Sequence, residues 1–114
     1  MNKQTVALIA LFAGWILTAD MAGATTYKDI AGQWCGDVTD YVFTPRTLTV
    51  KFHNGRPANV FKITTYTYTN SSVRIDWLNG DEELITVFAE FSGNKTTMAQ
   101  QGSGDKPRRA FHRC

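Results

Sequence analysis

Cysteine is scarce in this chain: Cys35 and Cys114 are the only two. No CxxC spacing and no convergent histidines accompany them, which excludes the familiar structural zinc patterns. Histidine is equally sparse, with only His53 and His112. Neither stands in a recognisable nucleophile–base–acid arrangement, so no catalytic motif is read. Charge of one sign is lacking too. A formal net charge of +2 gives no argument for nucleic acid or a membrane surface as partner. No segment keeps a helical repeat beyond two turns, which excludes a bundle. No cofactor motif and no metal-ligand spacing are found. What these absences leave is a small all-β domain, for which a non-enzymatic role is expected.

The first 24 residues read as a secretory signal peptide. Lys3 gives a positive start, Thr5–Ala19 is an apolar run, and Ala22-Gly23-Ala24 matches a small-x-small cleavage site. Asp20 lies, unusually, just before that site. The run is too short and its flank too polar for a transmembrane helix, although an uncleaved anchor is the alternative. The mature chain is expected to begin at Thr25 as one domain, periplasmic or secreted, with no integral membrane segment.

The mature part has 90 residues, with 11 Lys and Arg against 9 Asp and Glu. A domain this small closes a core only with help, and a disulfide is typical help outside the cytosol. Pairing Cys35 with Cys114 would close a loop worth roughly 4 kcal/mol in the chain-entropy account. Free thiols or an intermolecular bridge are the alternatives. Positive charge gathers only in the tail, Lys106-Pro107-Arg108-Arg109-Ala110-Phe111-His112-Arg113-Cys114.

Strands and turns follow from alternation. Leu48, Val50 and Phe52 oppose Thr47, Thr49 and Lys51, and Asn54-Gly55 is a hairpin signal. Asn59–Thr69 is rich in β-branched and aromatic residues. Val73, Ile75 and Trp77 alternate with Arg74 and Asp76. Asn79-Gly80 turns, and Leu84–Phe91 sets Ile85, Val87, Ala89 and Phe91 against Thr86, Phe88 and Glu90. Trp77 and Phe91 are assigned to the core. Lys95–Gln101 and Arg109–Arg113 follow, and Gly32–Val38 leads. The result is seven or eight short antiparallel strands, with a short helix allowed at Thr26–Ala31. An up-and-down barrel or a small sandwich accommodates them. In a closed barrel the first and last strands are neighbours, which would place the two cysteines on the seam.

Ile30-Ala31-Gly32-Gln33-Trp34 resembles the first-strand motif of the calycin superfamily, which includes lipocalins, avidins and small periplasmic protease inhibitors. The resemblance implies that Trp34 plugs the closed end of the barrel beside Gly32. It also implies that a last-strand cation, Arg109 or Arg113, packs over it as a cation–π contact. The Trp-Cys-Gly start and Pro-Arg-Arg…Arg-Cys end are similar to short exported proteins of alpha-proteobacteria. The strands are too short for a large lipocalin calyx, and the polar set of a biotin site is not traceable.

The remaining candidates are modest. Asp37 and Asp40 are loop acids or a carboxylate pair, and Asp81-Glu82-Glu83 is an acidic turn without calcium-loop spacing. His53 reads as a polar group beside a turn. Asn70-Ser71-Ser72 and Asn94-Lys95-Thr96 match the glycosylation pattern, which occurs often by chance. On Asn59–Thr69, Phe61 and Ile63 conflict in parity with Tyr66 and Tyr68. Either a bulge shifts the face, or the two tyrosines are exposed and form interface anchors with Arg74. The expected function is an exported protein-binding domain whose partner is another protein, such as a protease or lysozyme that it inhibits. A pocketless envelope protein and a small-ligand-binding barrel are the alternatives.

Overall fold

Alternating residues between tight turns build a wall that must cover its own edges, and here it does so by closing. The computed structural model describes residues 24–114; the segment expected to be a signal peptide lies, but for Ala24, outside the described residues. A one-turn helix, α1 (Tyr27–Ile30), leads into eight strands. These are β1 (Gly32–Cys35), β2 (Thr39–Phe43), β3 (Thr47–Phe52), β4 (Asn59–Tyr68), β5 (Ser72–Asn79), β6 (Glu82–Ala89), β7 (Thr97–Gln100) and β8 (Arg109–Arg113). Each pairs antiparallel with the next, and β8 returns to β1, so the sheet is a closed up-and-down barrel. The disulfide joins Cys35 to Cys114 across that seam, with their Cα atoms 5.2 Å apart.

Two features of the wall differ from the alternation reading. The leading strand stops at Cys35, and Thr39–Phe43 forms a separate strand. Gly36 makes the turn: its amide donates to the Thr39 carbonyl at 3.0 Å. A Cβ there would come within 2.6 Å of the Phe111 ring, so only glycine fits. The second difference is the face of β6. Phe88 is fully buried, whereas Ile85 is 57% exposed. Thr86 and Phe88 therefore point in, and the larger apolar set, Ile85 and Val87, lines the outer side.

On β4 the bulge alternative holds. The register with β5 shifts between Ile63 and Thr65. The extra residue, Thr64, lets Ile63 pair with Trp77 while Tyr66 pairs with Ile75 and Tyr68 with Val73. All of these sit on the inner face.

The interior is filled. Phe43, Phe88 and Phe111 surround Tyr41, which stacks on Phe111 at a centroid distance of 4.7 Å. Below them lie Trp34, Ile30, Val73 and Ile75, all fully buried. Burying each large side chain contributes about 1.5–3 kcal/mol.

The end carrying Gly32, Phe43 and Arg113, here the lower end, is stoppered. The Trp34 indole donates from Nε1 to the Ile30 carbonyl at 2.8 Å. The Arg113 guanidinium lies 3.9 Å over the Trp34 ring. It also donates to the carbonyls of Ala31 and Asp29, the latter at 2.9 Å. Phe91 packs edge-on against Trp34 from beyond the end of β6, half-buried rather than central. Gly32, at φ +93°, lets β1 start hard against the guanidinium.

Candidate binding groove at the upper rim

The upper rim is where the wall is incomplete. β6 has eight residues, but only its last two are in register with β7: Phe88 with Gln100 and Ala89 with Ala99. One further bond, from the Gln101 amide to the Val87 carbonyl at 2.8 Å, ends the ladder. Above it, the side of β6 turned away from β5 meets no described strand. β8 is similar on its other side, where it pairs with β1 only through Trp34–Arg113 and Cys35–His112. The β7–β8 hairpin therefore stands between two slots.

The larger slot is a groove of about 720 Å³. One wall is the β6 edge at Leu84–Val87, bare above Val87, and the floor is Trp77. Trp77 is fixed there by an edge-on contact with Phe61 at 4.9 Å and a 3.0 Å bond from its Nε1 to Thr86 Oγ1. The opposite wall is the β7–β8 loop, with Gln100, Lys106 and Arg109. That loop is held in shape. Arg108 clasps Glu90 with two bonds, at 2.6 and 2.7 Å, and Gln101 reaches the same carboxylate at 3.3 Å. Arg108 holds the Glu90 carboxyl below its ordinary value, with Gln101 helping. Gly102 runs so close to the Lys106 and Pro107 backbone that a Cβ would overlap it. Arg109 and Lys106 take part in no ion pair among the described residues.

The smaller hollow, about 390 Å³, lies on the other side of β8 between Asp37–Thr39 and Pro107–Phe111. Its wall includes Thr39, whose buried Oγ1 has no hydrogen-bond partner among the described residues. Between the slots Tyr41 donates to Gln100 Oε1 at 2.8 Å, and burial pushes its phenol pKa up.

No family model, no curated protein and no solved structure matches this chain. The rim has to be read from its own chemistry. Among the described residues, no three of the His, Cys, Asp and Glu side chains converge on one point. Asp40 meets His53 Nε2 at 2.8 Å on the outer wall, and Asp37, in the exposed turn beside it, also acts on His53. The His53–Asp40 contact lowers the Asp40 pKa and raises that of His53. His112 faces outward.

The structure divides the residues singled out from the sequence. Cys35 and Cys114 are bonded on the outside of the seam. Gly32, Trp34 and Arg113 form the lower stopper, whereas Arg109 sits at the opposite end, in the groove. Tyr66 and Tyr68 stack at 6.1 Å near the lower end, and Tyr27 meets Tyr66 edge-on at 5.3 Å. The Tyr66 hydroxyl donates to the Thr44 carbonyl at 2.5 Å, and burial drives its pKa far up. Arg74 is on the outer face of β5, clasping Asp76 at 2.9 Å, so it does not converge with the tyrosines. The groove itself escaped sequence reasoning. Its one signal was the acidic turn followed by Ile85 and Val87, a strand apolar on both faces.

Proposed function

We propose that this chain is an exported, non-enzymatic domain that binds another protein at its upper rim. The observation that carries the reading is the bare edge of β6 above a groove whose far wall is held by Glu90, Arg108 and Gly102. An exposed strand edge is a template for pairing with another chain, and proteins usually blunt it. Here it is left open beside an ordered wall, and preorganisation of that kind lowers the cost of binding. The disulfide fits an oxidising compartment, periplasmic or extracellular. The Arg113–Trp34 stopper fits the calycin-like resemblance. In such a compartment, inhibition of a secreted hydrolase is the specific form we assign to the binding.

A photo-crosslinking residue placed at Lys106, in the groove wall, or at Lys51, across the barrel on β3, tests this. The mature domain would be irradiated with proteins of the producing cell's envelope and medium. A discrete adduct from position 106 that is absent from position 51 is expected. The same adducts from both positions, or none, would overturn the reading. Lysozymes and secreted metalloproteases assayed with and without the domain test the inhibitory form.

A further inference from the structure

Resting on that reading, we infer that the groove takes an extended, acidic segment of the partner as an added strand against β6. The phase of the backbone is set by the Gln101–Val87 bond. Antiparallel ladders turn alternate residues to alternate sides. The N–H and C=O groups of Ile85 and Glu83 therefore face the groove, while those of Thr86 and Leu84 serve the ladder with β5. Among the described residues no strand pairs with Ile85 or Glu83 on the groove side. From Glu82 to Thr86 the free edge spans about 17 Å, the length of an ordinary strand of about five residues. The groove volume of about 720 Å³ is on the scale of a small binding site.

The chemistry of the walls selects the guest. Side chains of an added strand alternate between the barrel mouth and solvent. Those turned inward would meet Trp77 and Leu84 on one side and the unpaired cations Arg109 and Lys106 on the other. A guest with an apolar residue and a carboxylate at alternating inward positions satisfies both, and Arg109 offers the planar fork that suits a carboxylate.

A random linear peptide library of roughly strand length would be selected on the immobilised mature domain. Counter-selection would use Ile85→Pro, which removes a groove-facing N–H and leaves the β5 ladder intact. Enriched sequences are expected to carry Asp or Glu between apolar residues. Their affinity is expected to fall by about tenfold or more with Arg109→Gln, the scale of one charge-assisted contact. Near-UV circular dichroism of both variants would show whether the barrel is still packed; if Ile85→Pro were unfolded, Ile85→N-methyl-alanine, made by semisynthesis, takes its place. Peptides that bind wild type and the blocked variant alike, winners without acidic residues, or no winners overturn the inference. A dimer in sedimentation that the blocked variant abolishes would overturn it in favour of a second copy. If the crosslink from Lys106 succeeds while these peptide results fail, protein binding stands and strand addition falls. If the crosslink also fails, both fall.

Discussion

Arg113 holds four things at once: the Trp34 ring against its face, the carbonyls of Ala31 and Asp29 at the end of α1, and the Lys95 carbonyl. Burial lowers its pKa, but a guanidinium starts so high that it stays charged. Lysine has one point charge where this site uses a fork. Arg113→Lys is expected to destabilise the domain by about 1–3 kcal/mol, the range for hydrogen bonds to a charged group. Urea unfolding measures the loss, and a red shift of tryptophan fluorescence would report the opened stopper. Unchanged stability would mean that the stopper is held by Trp34 and Ile30 alone. The other informative pair at this scale is His53–Asp40. The His53 pKa is raised, so its contribution is complete below the unfolded histidine value and fades as pH rises through the folded one. The Asp40 pKa is lowered, so its contribution is present above the unfolded carboxyl value and is lost as pH falls through the folded one. The pair acts between about pH 4 and about pH 6.5. His53→Gln should therefore fall further below wild type in thermal stability at pH 5.5 than at pH 8. An equal gap at both values would show that the contact is not electrostatic.

β4 and β6 each carry an irregularity, and the two were differently legible. On β4 the clash of parity between Ile63 and Tyr66 announced a bulge, because both faces cannot be inward at once without an extra residue. Deleting Thr64 should turn Tyr66 and Tyr68 outward, break the Tyr66–Thr44 bond and lower the melting temperature sharply. A variant that kept its stability would show the bulge to be dispensable. On β6 the alternation misled, since the apolar count favours Ile85, Val87 and Ala89 over Leu84, Thr86 and Phe88. The reason is that Ile85 and Val87 border the groove, so they are apolar without being core. β2 was missed because Asp37 and Asp40 look like loop acids, while only Thr39, Tyr41 and Phe43 alternate inward. The seam and the stopper were legible from Cys35, Trp34 and the tail arginines, although the choice between Arg109 and Arg113 needed the register. The edge yields its own stability prediction. Proline is tolerated where a strand N–H faces no partner and costs a ladder bond elsewhere. Thr86→Pro should cost about 1–3 kcal/mol for the lost ladder bond alone, and Ile85→Pro markedly less, as read by urea midpoints. Equal losses would mean that the groove-facing side of β6 is not free.

The barrel as a whole is a broad sheet, β1 through β6, closed by a hairpin, β7–β8, that is joined to it weakly on both sides. Two register pairs link β7 to β6, and two link β8 to β1. Each seam has an added fastening. Glu90 clasps Arg108 and Gln101 across the first, and the Cys35–Cys114 bond spans the second. Local openings begin where backbone pairing is sparse, so the hairpin is the part of the molecule expected to move. The fastenings restrict that motion while leaving the upper slots unpaired. The disulfide closes a separation of 79 residues, which the chain-entropy account values at about 4 kcal/mol. Replacing both cysteines with serine should lower unfolding stability in non-reducing urea by roughly 2–5 kcal/mol. Hydrogen exchange should separate the two effects of that change. A purely unfolded-state effect lowers protection evenly among amides that exchange by global unfolding. Loss of the seam adds a local loss at Phe111–Arg113 and Trp34–Cys35, while β4 and β5 keep their rank as the slowest to exchange. If protection fell evenly with no extra loss at the seam, the bond would be stabilising the chain without guarding the hairpin. The rigidity of the groove would then rest on the Glu90 clasp alone.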